Sequence, residues 1–217
     1  MVEIMGRRER KKLQSKNTIL AAAVSQFMAK GVRETSIADI MGTAELGIGT
    51  FYNYFESKEA LLLCLLEQIV DEAKETSKDL MEKKRPAAET LSAVMLKTAE
   101  QLDANRFVLP LFLSVSDRTA TPMKKMMPRP KMAPAFKAVF VELVKYGQAR
   151  GEFRSEISAE LVTEMFHSIF QAASFSTLPY SFIDNVRLKI ELLMDGLKPR
   201  HHAKQMIRTS LEDKEAA

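Results

Sequence analysis

The chain contains little of what most catalytic, disulfide-bonded or metal-binding proteins use. Its 217 residues include no tryptophan, one cysteine and three histidines. A single cysteine excludes an intrachain disulfide and favours a reducing compartment such as the cytoplasm. Glycine and proline occur eight times each, whereas hydrophobic residues make up 46% of the chain, and this balance favours helices over strands. The composition therefore predicts an all-α protein with a sizeable core.

The few histidines and the cysteine do not form a recognisable catalytic or metal-binding pattern. His167, His201 and His202 lack the spacing to cysteines or carboxylates that a zinc site requires. Cys64 is flanked by leucines, which favours packing over reactivity. The chain has no Gly-x-Ser-x-Gly motif, phosphate loop or dinucleotide fingerprint. We therefore expect a protein that is not an enzyme and that needs no cofactor or metal ion.

Long apolar runs are also missing. The leucine-rich run at residues 61–66 is far shorter than the ~20 residues that a membrane span needs. The N-terminus carries charge without the apolar stretch that follows it in a signal peptide. We expect a cytoplasmic protein that does not enter a membrane.

Residues 35–58 contain a pattern of two short helices and the start of a third. Thr35 and Ser36 are N-cap residue types placed just before an apolar pair, and Asp39 has the spacing of a capping box. A turn of small residues follows the first of these helices. This arrangement predicts a brief helix that begins directly after Ser36.

The second short helix is predicted to begin near Ile48, with Gly47 as its N-cap. On a helical wheel one side is aromatic, whereas the rest is small or hydrogen-bonding. Two helices joined by a tight turn, the second with such an outer face, match the helix-turn-helix that enters a major groove. The residues outside the aromatic side are Ile48, Gly49, Thr50, Tyr52 and Asn53.

Cations flank this pattern on both sides. Lys58 lies in the first turn of the third helix, where the helix dipole disfavours a cation, so we expect its side chain to point at an anion outside the protein. Six more cations lie ahead of, or in the first turn of, a first helix predicted at residues 13–30, with Gly31 as its stop. They suit phosphate contact by a flexible arm, a solvated terminus, or binding to an anionic membrane surface. These cations are Arg7, Arg8, Arg10, Lys11, Lys12 and Lys16.

These motifs resemble the tetracycline-repressor-like (TetR) family of transcription regulators. The resemblance runs from about Lys16 to Leu65, and its most specific part is Gly-Thr-Phe-Tyr-x-x-Phe at residues 49–55 followed by Ser-Lys-Glu-x-Leu at residues 57–61. The chain departs from the family at Glu45, where glycine is usual, and at Gly47, where serine or threonine is usual. A left-handed turn residue other than glycine costs about 1 kcal/mol, so Glu45 puts the turn geometry in question.

The resemblance implies a DNA-binding transcription regulator, more specifically a homodimeric repressor that binds a near-palindromic operator in double-stranded DNA. It places a helix-turn-helix domain with a basic arm at residues 1–60, an effector-binding and dimerisation domain at 61–200, and a polar tail at 201–217. Ile48, Gly49 and Asn53 would meet base edges or thymine methyls, and Asn53 suits adenine. The full set of expected DNA contacts is Thr35, Ser36, Gly47, Ile48, Gly49, Thr50, Tyr52, Asn53, Tyr54 and Lys58.

Later helical patterns suggest an effector pocket and a dimer interface. Helices are predicted at about residues 57–84, 90–102, 135–150, 159–176 and 180–197, and the last two resemble the family's dimer interface. Their apolar stripes are also compatible with ordinary core: Leu161, Met165, Ile169 and Ala172 on one helix, and Ile183, Val186, Ile190 and Leu193 on the other. A proline- and methionine-rich stretch at residues 119–134 is compatible with a flap over a cavity or with a surface connection.

Candidate ligand-binding residues come from the same aromatic and methionine stripes. Few of them ionise, so the expected effector is a small apolar or flat aromatic molecule. The alternative to a regulator is a helical small-molecule-binding protein whose helix-turn-helix binds DNA weakly or not at all. The candidates are Phe107, Leu111, Phe112, Met126, Met127, Phe136, Phe140, Phe166, His167 and Phe170.

Overall fold

A computed structural model describes residues 6–114 and 132–199 of the chain. All regular elements in these two ranges are helices, which confirms the predicted all-α class. In chain order they are α1 (Arg7–Glu34), α2 (Ile37–Thr43), α3 (Ile48–Phe51), α4 (Lys58–Glu82), α5 (Ala87–Ala104), the 3-10 helix η1 (Arg106–Val108), α6 (Leu109–Ser114), α7 (Met132–Ala149), α8 (Ala159–Ser174) and α9 (Phe182–Leu197). Met126, Met127, most of the proline- and methionine-rich stretch and the predicted tail lie outside the described residues.

Contacts divide the chain into two units. The first lies within Met1–Glu72 and Glu100–Ala133, and the second within Ala73–Ala99 and Pro134–Ala217. The helix-turn-helix elements α2 and α3 belong to the first unit, together with α1, η1 and α6. Because α4 and α5 each contribute residues to both units, the grouping differs from a simple cut at residue 60. The predicted boundaries at 60 and 200 stay predictions.

Helix α1 is longer than the predicted first helix, because it begins at Arg7 and not at Leu13. Its helical dihedrals are interrupted at Gly31, where φ is 81° and only glycine is free of strain. The interruption lies at the residue where the sequence predicts that the first helix ends. The N-terminal basic residues are therefore helical from Arg7 onwards, which corrects the expectation of a flexible arm there.

The core of the first unit lies between α1, α2, η1 and the start of α4. Helix α1 packs against both α2 and η1. The ring of Phe27 lies 5.2 Å from that of Phe107 in η1, centroid to centroid. Aromatic packing of this kind adds to the burial of apolar area. The largest fully buried side chains of this unit include Ile19, Ile40, Met41, Phe51, Leu61 and Leu66.

In the second unit, the turn after α7 connects three helices. Gly151 adopts φ 68°, and the backbone N–H of Arg154 donates to the carbonyl of Leu197 at the end of α9 (3.0 Å). The carboxylate of Glu152 accepts from the backbone N–H of Ala87 (2.5 Å), which satisfies a free donor at the start of α5. Burial acts to raise the pKa of Glu152, but hydrogen bonds from Arg150 and Ala87 outweigh it and lower that pKa.

Helices α8 and α9 each carry apolar residues on two faces. Within the chain, Val186 and Ile190 of α9 are buried while Ile183 and Leu193 are half-buried, so the predicted α9 stripe faces mainly into the core of this unit. The exposed apolar residues of α9 are Leu188 and Leu192 instead. On α8 the predicted stripe is divided, because Ile169 is buried while Leu161, Met165 and Ala172 are exposed.

No helix within the described ranges is both long and apolar enough to cross a membrane.

Candidate nucleic-acid interface

The start of α2 is fixed by a reciprocal cap. The Ser36 hydroxyl accepts from the backbone N–H of Asp39 (3.1 Å), and the Asp39 carboxylate accepts from the backbone N–H of Ser36 (2.8 Å). This is the capping box that the sequence predicts. Lys30 of α1 forms an ion pair with the same carboxylate (2.8 Å). The Lys30 ammonium, followed by the hydrogen bonds from Ser36, holds the pKa of Asp39 well below its ordinary value.

The turn between α2 and α3 passes through a left-handed residue. Glu45 has φ 54°, and its backbone N–H donates to the carbonyl of Gly42 (3.2 Å). The N–H of Leu46 donates to the carbonyl of Met41 (3.0 Å). These two bonds define a Schellman motif, whose left-handed position is usually glycine. The structure thus contains the tight turn in spite of Glu45, and the strain expected from the sequence lies at this residue.

Helix α3 is short and has one buried and one exposed side. Phe51 is fully buried and Phe55 nearly so, with ring centroids 5.6 Å apart. Ile48 is 53% exposed and Tyr52 59% exposed, although both are large and apolar. Both side chains are therefore available for contact with a partner.

Gly49 lies on the exposed side of α3, where the protein itself does not require glycine. A Cβ atom built at Gly49 meets nothing within 4 Å, and φ at this residue is not in the left-handed range. A side chain is therefore sterically possible there, and most residues would favour the helix more than glycine does. The missing side chain leaves the backbone of α3 open to the close approach of a partner.

Lys58 differs from its expected orientation. Its ammonium group donates to the carbonyl oxygens of Val32 (2.6 Å) and Thr35 (2.7 Å), with Arg33 at 3.5 Å. These carbonyls end α1, where the helix dipole is negative. Lys58 was expected to point at an anion outside the protein, but its partner in the structure is the protein's own backbone. Its expected contact with a phosphate stays a prediction.

Thr35 also faces inward. It is 1% exposed, and its hydroxyl donates to the carbonyl of Gly31 (2.7 Å). A buried hydroxyl cannot reach a phosphate outside the protein without a rearrangement, so Thr35 acts by closing the end of α1. Ser36, by contrast, is exposed.

The remaining expected DNA contacts lie together on and around α3. Gly47 is the N-cap of α3, as predicted, and is exposed. Asn53 is exposed in the turn after α3, while Thr50 and Tyr54 are half-buried. Lys16, which the sequence assigned only to the basic segment, lies over the ring of Phe55 (5.9 Å to its centroid) and so adds a cation near this surface. No sequence signal connects these two positions.

The ligand-binding candidates are divided between the two units. Phe107 and Leu111 are half-buried and Phe112 is buried in the first unit. In the second unit the rings of Phe136, Phe140 and Phe166 form a chain with centroid distances of 4.8 and 5.8 Å. The other candidates there are the buried Phe170 and the half-buried His167. Their role in binding a ligand stays a prediction.

Within the described ranges, no three His, Cys, Asp or Glu side chains come close enough together to hold a metal ion. Cys64 is a half-buried free thiol on α4.

Comparison with known proteins identifies the helix-turn-helix segment. The model of bacterial regulatory proteins of the tetR family matches residues 19–65, which include α2, α3 and the turn between them. Residues 19–65 form a helix-turn-helix of the TetR family. The chain is a DNA-binding helix-turn-helix transcription regulator, and the proteins named among its relatives are regulators and not enzymes.

The relatives also match the chain beyond the TetR helix-turn-helix. The HTH-type transcriptional repressor KstR2 of Rhodococcus jostii (strain RHA1) is 22% identical over 192 residues, which cover 85% of this chain and 91% of that protein. The solved structure of FadR from Bacillus subtilis in complex with stearoyl-CoA has a TM-score of 0.64 and 19% identity, and covers 83% of this chain and 98% of that one. The solved structure of FadR from Thermus thermophilus in complex with lauroyl-CoA has a TM-score of 0.61 and 23% identity. The match covers 86% of this chain and 96% of that one. At these identities the two structures show a shared fold.

Proposed function

We propose that the protein is a sequence-specific repressor that binds a near-palindromic operator as a homodimer and is released by a small apolar or aromatic effector. The observation that carries the proposal is the exposed side of α3. There, Ile48, Gly49 and Tyr52 present apolar or absent side chains to solvent while Phe51 is buried. This division of faces suits a recognition helix that is held by the core and inserted into a groove.

The proposed contacts fall into two classes. Ile48, Gly49 and Asn53 meet base edges in the major groove, while the hydroxyls of Thr50, Tyr52 and Tyr54 contact phosphates. Ser36 and Gly47 contribute from the starts of α2 and α3. Thr35 and Lys58 support the interface from inside, because their polar groups bind the end of α1.

A homodimer is supported by the exposed apolar residues of α8 and α9. Leu161 and Met165 lie one turn apart on α8 and are 52% and 46% exposed, and Phe175, the C-cap of α8, is 73% exposed. Leu188 and Leu192 are 42% and 75% exposed on α9. Two copies that pair through these faces would bury them and would place two recognition helices on half-sites about one helical turn apart.

The proposed effector is apolar because most of the candidate ligand-binding side chains within positions 61–200 are aromatic or aliphatic. Two of the structures that share the fold contain fatty acyl-CoA molecules, whose acyl chains are apolar. Binding would favour a state of the dimer in which the two recognition helices no longer fit successive grooves. Stearoyl-CoA, with coenzyme A as its control, is therefore a suitable first probe.

The test is selection of binding sequences from a random duplex pool at near-physiological salt, where non-specific affinity is weak. We expect recovery of a near-palindrome whose half-sites are about one helical turn apart. Recovery of no sequence above background would contradict the proposal and would favour the alternative, a small-molecule-binding protein whose helix-turn-helix does not bind an operator.

A further inference from the structure

We propose that the operator base pairs facing α3 are A·T pairs, with a thymine methyl against Ile48 and an adenine edge against Asn53. The inference rests on the proposed function and adds the chemistry of the sequence that is read. It is argued from the side chains present in residues 47–55 and from the types of side chain that are absent there.

The surface from Gly47 to Phe55 contains no charged side chain. Guanine is most often recognised by arginine or lysine, which donate to its O6 and N7 atoms, and cytosine by a carboxylate that accepts from its N4 amine. None of these groups is present between residues 47 and 55. A G·C pair facing this segment would therefore leave polar base atoms poorly matched.

Two nearby cations are already engaged by the protein. Lys58 donates to the carbonyls at the end of α1, and Lys30 forms an ion pair with Asp39. Both would have to give up these partners to reach a guanine. Lys16 lies over the ring of Phe55, at the end of the segment, where a phosphate contact is the simpler role.

The side chain of Ile48 favours thymine over the other bases. It is the first residue of α3 and 53% exposed, so its branched side chain is available to a partner. The C5-methyl of thymine is the apolar group that unmodified DNA presents in the major groove. Contact between the two removes apolar surface of both from water, whereas a cytosine at the same place offers only its amine and no methyl.

Asn53 supplies the hydrogen-bonding partner. Its backbone N–H donates to the carbonyl of Thr50 (3.2 Å), which holds it in the turn directly after α3. Its side chain is exposed, and among the described residues none forms a hydrogen bond with its amide. An asparagine amide donates to N7 and accepts from N6 of adenine in a two-bond contact that guanine cannot match.

Base analogues in the selected duplex test both contacts. Replacing the critical thymine by uracil removes one methyl group, and we expect wild-type affinity to fall about four-fold, the effect of one buried methyl. The Ile48→Ala variant should lose nothing further from that replacement. Uracil in place of a thymine outside the half-sites is the matched control and should affect neither protein. Replacing the adenine by 7-deaza-adenine should weaken wild-type binding about ten-fold and leave Asn53→Ala unaffected.

The outcomes separate this inference from the proposed function. A selected palindrome with G·C pairs facing α3, or uracil effects that are equal in wild type and Ile48→Ala, would overturn the inference and leave the regulator intact. Recovery of no motif at all would overturn both. Ile48 and Asn53 are exposed, so both variants should fold, and their thermal unfolding midpoints provide the check.

Discussion

The ammonium group of Lys58 lies 2.7 Å from the backbone carbonyl oxygen of Thr35. This bond joins the first turn of α4 to the C-cap residue of α1. The Thr35 hydroxyl in turn donates to the carbonyl of Gly31. Free carbonyls at the end of α1 are thus satisfied by two residues that the sequence assigned to DNA contact. The helix-turn-helix is held in place by polar bonds beneath its exposed surface.

Replacing Lys58 by methionine should lower the free energy of unfolding by about 1–3 kcal/mol, because charge-assisted hydrogen bonds to partly buried carbonyls are lost. Lys78, on the same helix, supplies the control, since its ion pair with Glu82 is exposed and long (3.9 Å). Lys78→Met should change stability by less than about 0.5 kcal/mol. Equal effects of the two variants in urea unfolding would contradict the account of Lys58.

The DNA-binding role expected of Lys58 from the sequence can be measured with the same variant. If Lys58 contacts a phosphate, Lys58→Met lowers the slope of log affinity against log salt by about one contact. The geometry leads us to expect an unchanged slope, with any loss of affinity caused by movement of the helix-turn-helix.

Replacing Glu45 by glycine should stabilise the protein by up to about 1 kcal/mol, because φ at this residue is 54° and glycine adopts that conformation without strain. Lys84 has the same φ in the equivalent turn after α4, where the N–H of Arg85 donates to the carbonyl of Leu80 (3.1 Å). Lys84→Gly should therefore stabilise by a similar amount. Loss of stability in Glu45→Gly, measured by urea unfolding, would show that the Glu45 side chain makes a favourable contribution that outweighs the strain.

Asp39 should make the stability of the fold depend on pH. Its folded pKa lies below the ordinary value of 3.8, so the unfolded chain binds a proton more readily than the folded one. The contribution is present above that ordinary value and is lost as pH falls from it towards the folded pKa. Asp39→Asn should therefore flatten the fall in unfolding free energy on acidification. Lys30→Met should flatten it as well, because Lys30 is the main cause of the shift.

That pH experiment needs denaturant curves from neutral pH down to about pH 3, a range that spans the ordinary carboxyl pKa. High salt should weaken the effect, since the pair between Lys30 and Asp39 is partly exposed. If the unfolding free energy depends on pH in the same way in wild type and Asp39→Asn, the capping box and ion pair do not lower the pKa of Asp39.

The proposed dimer predicts that Leu192→Glu yields a monomer, because a charge would replace an apolar side chain that is 75% exposed and buried only by a second copy. Leu13→Glu supplies the control, since Leu13 is also exposed (48%) but lies on α1. The mass in solution, measured by light scattering, reports the result. A monomeric wild type would rule out the dimer, and a dimeric Leu192→Glu would move the interface elsewhere.

The elements of the helix-turn-helix could be predicted where local residues decide the structure. Ser36 and Asp39 form the capping box from their spacing alone, and Gly31 interrupts α1 because its backbone is least restricted. Phe51 and Phe55 are buried as the helical wheel predicts. These features depend on residues within one or two turns of each other.

Contacts between distant residues could not be predicted in the same way. Lys58 reaches carbonyls 23 to 26 residues earlier in the chain, and only the packing of α1 against the later elements reveals that they are near. The α9 stripe was ambiguous for a related reason. An apolar stripe indicates that a face is buried but not against what, and Val186 and Ile190 proved to face the core of their own unit.

The exposed side of α3 is the surface proposed to read duplex DNA. The most direct test is the affinity of Gly49→Glu for a selected duplex, relative to a scrambled duplex of the same length. A side chain at Gly49 meets nothing within the protein, so the variant should keep the thermal midpoint of wild type while its carboxylate repels the DNA. Ala93→Glu, which adds the same charge at an exposed position of α5, is the matched control. We expect wild type and Ala93→Glu to prefer the selected duplex by about 1,000-fold or more and Gly49→Glu to lose that preference. A Gly49→Glu variant that binds and discriminates as wild type does would contradict the assignment of α3 as the reading surface.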